Sequence, residues 1–309
     1  MQIYNTHTSF DSRGGCVLAL GSFDALHIAH QALICEAVAQ ARLRGVRAGV
    51  HLFDRRPETV LFPQKEFKSI YKNDDKAQII ERFGADFVYY ETFDAAFMKL
   101  DSFAFARMLK EKLGVLCVVV GFHYTFGYGG AGTAEKLKQF GEMLGFDVVV
   151  LEPIEQDGAL VSSTLIRECL INGEIARANR LLGRDYMLGG PVVRDRGVGT
   201  QMGIPTANLA VPDDILLPKN GVYATYSSVG GRLFAGVTNI GVRPTFSLDK
   251  IAVETHILDF QGDIDGAYLQ IYFLQYLRPE KKFDTKEELA RQIFSDMDEA
   301  RRLFVEKCG

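Results

Sequence analysis

The apolar positions of the chain follow two different rhythms. Up to about residue 154, short apolar runs alternate with stretches of helical spacing. CVLAL (16–20) ends at Gly21 and is followed by HQALICEAVAQARLRG (30–45), which has helical periodicity and a glycine stop. AGVHLF (48–53) predicts the next strand, KAQIIERFG (76–84) a helix and ADFVYYE (85–91) a strand. SFAFARMLKEKLG (102–114) predicts a helix with Ser102 as N-cap, and VLCVVVG (115–121) a buried strand. EKLKQFGEMLG (135–145) and FDVVVLEPI (146–154) repeat the unit. Apolar strands separated by helices of about a dozen residues imply a Rossmann-like α/β domain, its parallel sheet covered on both faces.

The rhythm changes after short helices around 164–170 and 175–182. GVYATYSSV (221–229), Gly230-Gly231 and RLFAGVTNI (232–240) predict a hairpin with a two-glycine turn. IAVETHILDF (251–260) and AYLQIYFLQYL (267–277) alternate as strands with one buried face. The stretch from Asp284 to Val305 reads as a helix capped by Asp284 or Thr285. Short strands with glycine-rich turns predict an all-β barrel plus one C-terminal helix. The expected domains are 1–183 and 184–309.

Composition narrows the function classes. At 309 residues, 47% hydrophobic and 24% charged, the chain has the make-up of about two globular domains and not of a disordered protein. The net charge is −4, shared evenly at −2 on each side of residue 183/184, which speaks against a nucleic-acid binder. Cys16, Cys35, Cys117, Cys169 and Cys308 are odd in number and form no CxxC pair. That pattern argues against a disulfide framework or zinc site and for a reducing compartment. The polar start MQIYNTHTSFDSRGG carries no signal core, and the longest near-continuous apolar run, 113–122, is too short for a membrane span. The expectation is a cytoplasmic protein with neither a membrane nor a nucleic acid as partner.

Four clusters carry candidate chemistry. In GSFDALHIAH (21–30), where a buried strand hands over to a helix, His27 and His30 share a face at the helix start and suit a polyphosphate. An N-cap with incidental histidines is the plainer alternative. VSSTLIRECL (161–170) offers hydroxyls at a helix start plus Arg167, an anion cradle or simply a capped helix. GVGTQMGIPTANL (197–209) has three glycines before Pro205-Thr206-Ala207-Asn208. Its amides suit phosphates, and Thr206 and Asn208 are hard oxygen ligands suited to Mg²⁺; a turn loop is the alternative. Finally, NIGVRPTF (239–246) reads as a strand with a stiff loop, and in VETHILDF (253–260) Glu254 and His256 share a strand face opposite Val253, Thr255 and Ile257. A carboxylate beside a magnesium–phosphate loop can deprotonate a hydroxyl nucleophile, although a solvated strand-face glutamate is the commoner state.

Together these clusters resemble the prokaryotic bifunctional riboflavin kinase/FAD synthetase family over nearly the whole chain. GIPTANL (203–209), GVYATY (221–226), GVTNIGVRPTF (236–246), ETHILDF (254–260) and KFDTKEEL (282–289) match the kinase signatures. The resemblance implies an N-terminal nucleotidyltransferase of the HxGH superfamily that adenylylates FMN, and a C-terminal riboflavin kinase barrel. It implies ATP as co-substrate and Mg²⁺ as cofactor, with riboflavin and FMN as the flavin substrates. By this resemblance Glu254 is the kinase base and Thr206 and Asn208 hold Mg²⁺, while Gly199, Gly203 and Pro205 lie at the ATP phosphates. Arg243, Pro244 and Thr245 form a loop closing over flavin, and Phe126 is a further flavin contact. His27, His30 and Arg167 act in adenylyl transfer, with Gly21, Phe23, Asp24, Ser163 and Thr164 around the nucleotide. The chain departs from the family pattern at Ala25 and Ala29, which replace glycines, at Arg55-Arg56-Pro57 in place of Pro-x-Pro, and at His123 in place of Asp or Asn. The alternatives are a kinase whose adenylyltransferase half is inactive or altered, and a flavin-binding regulator without turnover. The intact metal loop and base speak against the last.

Overall fold

The structure is a computed structural model describing residues 1–193, 205–244 and 249–308. Its contacts divide the chain into two compact units, Met1–Ser163 and Thr164–Gly309. In the first unit the chain runs through β1 (Gln2–Asn5), β2 (Cys16–Leu20), α1 (Ile28–Arg44), β3 (Arg47–Phe53), α2 (Pro57–Leu61), α3 (Asn73–Glu81) and β4 (Phe87–Glu91). It continues through α4 (Ser102–Leu113), β5 (Val115–Gly121), β6 (Thr125–Phe126), β7 (Gly132–Thr133), α5 (Ala134–Leu144) and β8 (Asp147–Leu151). The short pair β9 (Glu155–Gln156) and β10 (Ala159–Leu160) closes it.

Six of these strands form an all-parallel sheet in the order β1-β4-β3-β2-β5-β8. Every residue of β2 is buried, as a central strand covered on both faces must be. One face packs the core of Leu18, Leu20, Phe87 and Val118 against Phe105 and Leu109 of α4 and Leu137 of α5. The chain leaves β2 toward β3 on one side and later returns to pair β5 on the other, so the order reverses at β2. In such sheets ligands sit outside the carboxyl ends of the strands at this reversal. The loops after β2 and β5 are therefore the ones placed for chemistry.

Helix boundaries follow local capping chemistry. α1 begins at Ile28 because His27 caps it, and it ends at Gly45 in the left-handed region. Asp101, not the expected Ser102, caps α4, its carboxylate accepting the Ala104 amide at 2.9 Å.

The second unit contains α6 (Ser163–Asn172, its first residue at the division), α7 (Ile175–Leu182), β11 (Tyr186–Val193), β12 (Ala207–Leu209) and β13 (Gly221–Val229). β14 (Arg232–Pro244), β15 (Asp249–Ile257), β16 (Tyr268–Arg278) and α8 (Lys286–Cys308) follow. The strands close an antiparallel barrel in the order β11-β12-β15-β14-β13-β16. The β13–β14 hairpin turns through Gly230 and Gly231, with φ of 57° and 79°, as the two-glycine turn requires. Inside the barrel the hydroxyls of Thr225, Thr238 and Thr255 hydrogen-bond across three strands at 2.8 Å each. α8 lays Met297, Ile293 and Phe304 on Ala235, Val237 and Leu258, and Thr285 caps it. α6 and α7 group with the barrel, whereas the sequence reading set them before residue 184. Their ties explain the grouping: Lys219 donates its amide to the Leu170 carbonyl (3.0 Å), and the Asn179 side chain donates to the Phe273 carbonyl (2.8 Å).

Candidate active sites

The loop after β2 is tightly built. Phe23 and Leu26 take left-handed φ angles of 46° and 49°, which for non-glycine residues costs about 1–3 kcal/mol each. Packing sustains that strain, since Phe23, Ala25 and Leu26 are fully buried. The Phe23 ring rests on the His30 imidazole at 4.9 Å, and His30 stacks on His27 at 3.7 Å with 12° between the planes. The His30 amide donates to His27 Nδ1 at 3.3 Å. Because Nδ1 accepts, the proton of the neutral His27 ring sits on Nε2. The expected pair thus meets at the N-terminus of α1, where the backbone amides and the helix dipole favour anions.

Asp24 is buried beside the pair. Its carboxylate accepts the Ile70 amide at 3.2 Å and an Arg56 N–H at 3.4 Å. Arg56 also pairs with Glu58 (2.9 Å) and donates to the Lys68 carbonyl (2.7 Å). The segment after β3 that holds Arg55-Arg56-Pro57 is therefore fastened to the loop after β2, with Pro57 opening α2. Gly21 ends this approach from β2, and Ala29 is half-buried in the first turn of α1.

After β5 the chain turns at Gly121, with Tyr124 donating its amide to the Gly121 carbonyl at 3.0 Å. Phe126 is only 6% exposed and packs between Tyr124 and Phe105 in the core. The exposed rings of this loop are Phe122 (55%) and Tyr128 (61%), with exposed His123 against Phe122 at 5.1 Å. Sequence reasoning passed over both; the signal was an aromatic-rich loop following a buried strand of a parallel sheet. The Ser163 hydroxyl, at the start of α6, is buried with no hydrogen-bond partner among the described residues. The division between the units falls just after it, so Thr164 and Arg167 belong to the second unit.

On the barrel, register builds the second site. Asn208 of β12 stands opposite Glu254 of β15, and Glu254 stands opposite Asn239 of β14. Directly opposed residues of an antiparallel pair share a face, so these three side chains form one row. Glu254 and His256 are half-buried, whereas Val253, Thr255 and Ile257 are buried, as the alternation predicted. Asn239 donates to Glu280 Oε1 at 3.3 Å. Thr206 directly precedes β12, two residues from Asn208, and the Pro205 carbonyl before it meets His256 Nδ1 at 2.8 Å. Arg243 and Pro244 end β14, their backbones paired with Lys250 and Asp249. Gly199, Gly203 and Thr245 lie outside the described residues.

The family models described as FAD synthetase and riboflavin kinase match residues 9–165 and 182–304. A bifunctional riboflavin kinase/FMN adenylyltransferase of Listeria monocytogenes is 36% identical over 94% of this chain and 92% of its own length. The chain belongs to this family. The proteins of the same description from Bacillus subtilis and Escherichia coli are 33% and 32% identical, over 96% and 94% of this chain and 95% and 93% of theirs. A solved structure described as a macrolide-efflux protein from Streptococcus pneumoniae has the same fold, with a TM-score of 0.89 and 28% identity, covering 97% of this chain and 99% of its own. Among the described residues here, no helix is long and apolar enough to cross a membrane.

Proposed function

We propose that this chain carries out two ATP-dependent steps: phosphorylation of riboflavin to FMN in 184–309 and adenylylation of FMN to FAD in 1–183. The observation that carries the reading is that one chain of this family holds both the Asn208–Glu254 row on a barrel and the stacked His27–His30 pair at the reversal of a parallel sheet.

In the first step Glu254 accepts the proton of the ribityl 5′-hydroxyl as its oxygen attacks the γ-phosphorus and ADP departs. A half-buried strand position suits this role, keeping the carboxylate within reach of a substrate while β15 stays anchored by its buried alternate residues. The Thr206 hydroxyl and Asn208 amide oxygen are hard, uncharged donors, and they fit Mg²⁺ one cross-strand step from a carboxylate. Bound there, Mg²⁺ neutralises phosphate charge. Gly199, Gly203 and Pro205 are assigned to the phosphates, and Arg243, Pro244 and Thr245 to flavin, on the family resemblance.

In the second step a phosphate oxygen of FMN attacks the α-phosphorus of ATP and pyrophosphate leaves. His27 Nε2–H, His30 and the first amides of α1 stabilise the charge that gathers on the leaving group. Gly21, Phe23 and Asp24 shape the loop that presents them. Ser163, Thr164, Arg167 and Phe126 are carried over from the family motif, the buried Ser163 hydroxyl being suited to a ligand oxygen. Phe122 and Tyr128 supply exposed rings for an isoalloxazine.

Ala29 favours one alternative, a kinase that stops at FMN. Ala25 is fully buried, but the Ala29 methyl is part-exposed in the first turn of α1, where a phosphate must approach. Incubation with riboflavin, ATP and Mg²⁺, with chromatographic separation of the flavins, tests both readings. FMN followed by FAD is expected; FMN alone supports the kinase-only reading, and neither product contradicts both.

A further inference from the structure

We propose that His256 is a positioning residue for the metal pair, its Nδ1–H holding the Pro205 carbonyl so that Thr206 and Asn208 are set against the strand of Glu254. The inference rests on the kinase reading above. The contact is 2.8 Å long and joins residues 51 apart in sequence. A carbonyl oxygen can only accept, so His256 Nδ1 carries the proton. The strand that bears Asn208 is short: the β12–β15 ladder runs from Leu209 opposite Val253 to Ala207 opposite Thr255 and ends there. Pro205 has no N–H to extend a ladder. Thr206 would thus leave the barrel wall one residue after the ladder stops. The imidazole supplies the missing rung from its side chain. Because His256 sits two residues beyond Glu254 on the same face, one strand carries both the base and the clamp on the metal-binding segment. The base and the metal ligands thereby share one frame, and errors in their spacing are costly to phosphoryl transfer.

The test compares His256→Phe, which keeps a ring and removes the donor, with His256→Asn, whose side-chain N–H leaves Cγ as the Nδ1–H does. Full-length proteins are titrated with Mn²⁺ and ADP in the presence of riboflavin, free Mn²⁺ being read by electron paramagnetic resonance. Steady-state FMN formation is measured against Mg·ATP and against riboflavin. His256→Phe is expected to weaken one class of Mn·ADP site and to raise the KM for Mg·ATP, each by roughly tenfold, the scale of one lost hydrogen bond. The riboflavin KM and the conversion of FMN to FAD should stay within about twofold, and His256→Asn should restore most of the metal–nucleotide affinity. Unchanged Mn·ADP and Mg·ATP dependence in His256→Phe overturns the proposal. So does an equal loss in both variants accompanied by a fall in Tm, which marks a role in stability alone. Asn208→Ala separates the premises: if it leaves the Mn·ADP isotherm unchanged, the assignment of Thr206 and Asn208 to the metal fails, and the clamp fails with it.

Discussion

Glu254 and His51 are ionisable side chains in opposite settings, one half-buried on the barrel and the other enclosed in the parallel-sheet unit. Glu254 stands in a row with buried Asn208 and half-buried Asn239, and the proposed kinase step gives it the proton of the substrate hydroxyl. Glu254→Gln keeps the size and polarity of the side chain, exchanges one acceptor oxygen for an amide NH2 donor and removes its basicity. FMN formation should fall by about two decades or more, with Tm unchanged; turnover like the wild type would remove Glu254 from the mechanism. His51 on β3 is enclosed by Phe53, Tyr89 and Phe105, and its Nε2 is buried with no hydrogen-bond partner among the described residues. Burial, with the Lys112 ammonium adding to it, pushes the imidazole down to about 4. The folded value lies below the unfolded one of about 6.5, so the full stability holds above pH ~6.5 and drains away as the pH falls toward 4. At pH 5 the loss from this one ring is about 2 kcal/mol. Urea unfolding of the wild type and of His51→Phe at pH 7.5 and pH 5 checks this. The variant should lose markedly less stability between the two, and identical losses would contradict the assignment.

At the scale of elements, the loop after β5 is held by a close backbone contact. Gly127 has φ of 73°, and a Cβ there would lie 2.7 Å from the backbone of Ser102, while the Tyr128 amide donates to the Leu100 carbonyl at 2.7 Å. Gly127→Ala meets both a left-handed backbone and the start of α4, a strain of about 1–3 kcal/mol. The loop should shift, and FAD formation should drop roughly tenfold or more through misplacement, while FMN formation in the same sample stays normal. Equal rates for both products in the variant would show that the loop has no part in adenylyl transfer. The same scale shows what the sequence made legible. β2, β5 and the β13–β14 hairpin could be read from apolar runs and paired glycines, because their signals are local. β1 carries no apolar run to mark it, being a polar edge strand of four residues that is ordered by pairing with β4. β11 was hidden by Gly189-Gly190-Pro191, and the segment of β12 read as a loop, since its three residues are ordered by remote partners on either side. Glu254 and Asn208 were therefore legible as residue types, but the register that faces one with the other was not. The cap of α4 slipped by one residue because Asp101 and Ser102 are both good caps and pattern alone does not choose.

At the scale of the whole molecule, the side chains proposed as central to each step fall in different units. The histidine pair lies in Met1–Ser163, and the Asn208–Glu254 row lies in Thr164–Gly309. The two activities should then fail independently. Glu254→Gln supplied with FMN should still make FAD, because its lesion lies in the barrel. Replacing His27 and His30 together with alanine removes the donors at the N-terminus of α1 and leaves the barrel untouched. The most direct measurement is a time course of riboflavin, FMN and FAD from riboflavin, ATP and Mg²⁺, run side by side for the wild type and this double variant. Separation of the two activities predicts that the wild type passes through FMN to FAD, whereas the double variant makes FMN at the wild-type rate and accumulates it without FAD. FAD formation at the wild-type rate by the double variant, or loss of FMN and FAD together in a folded sample, would contradict it.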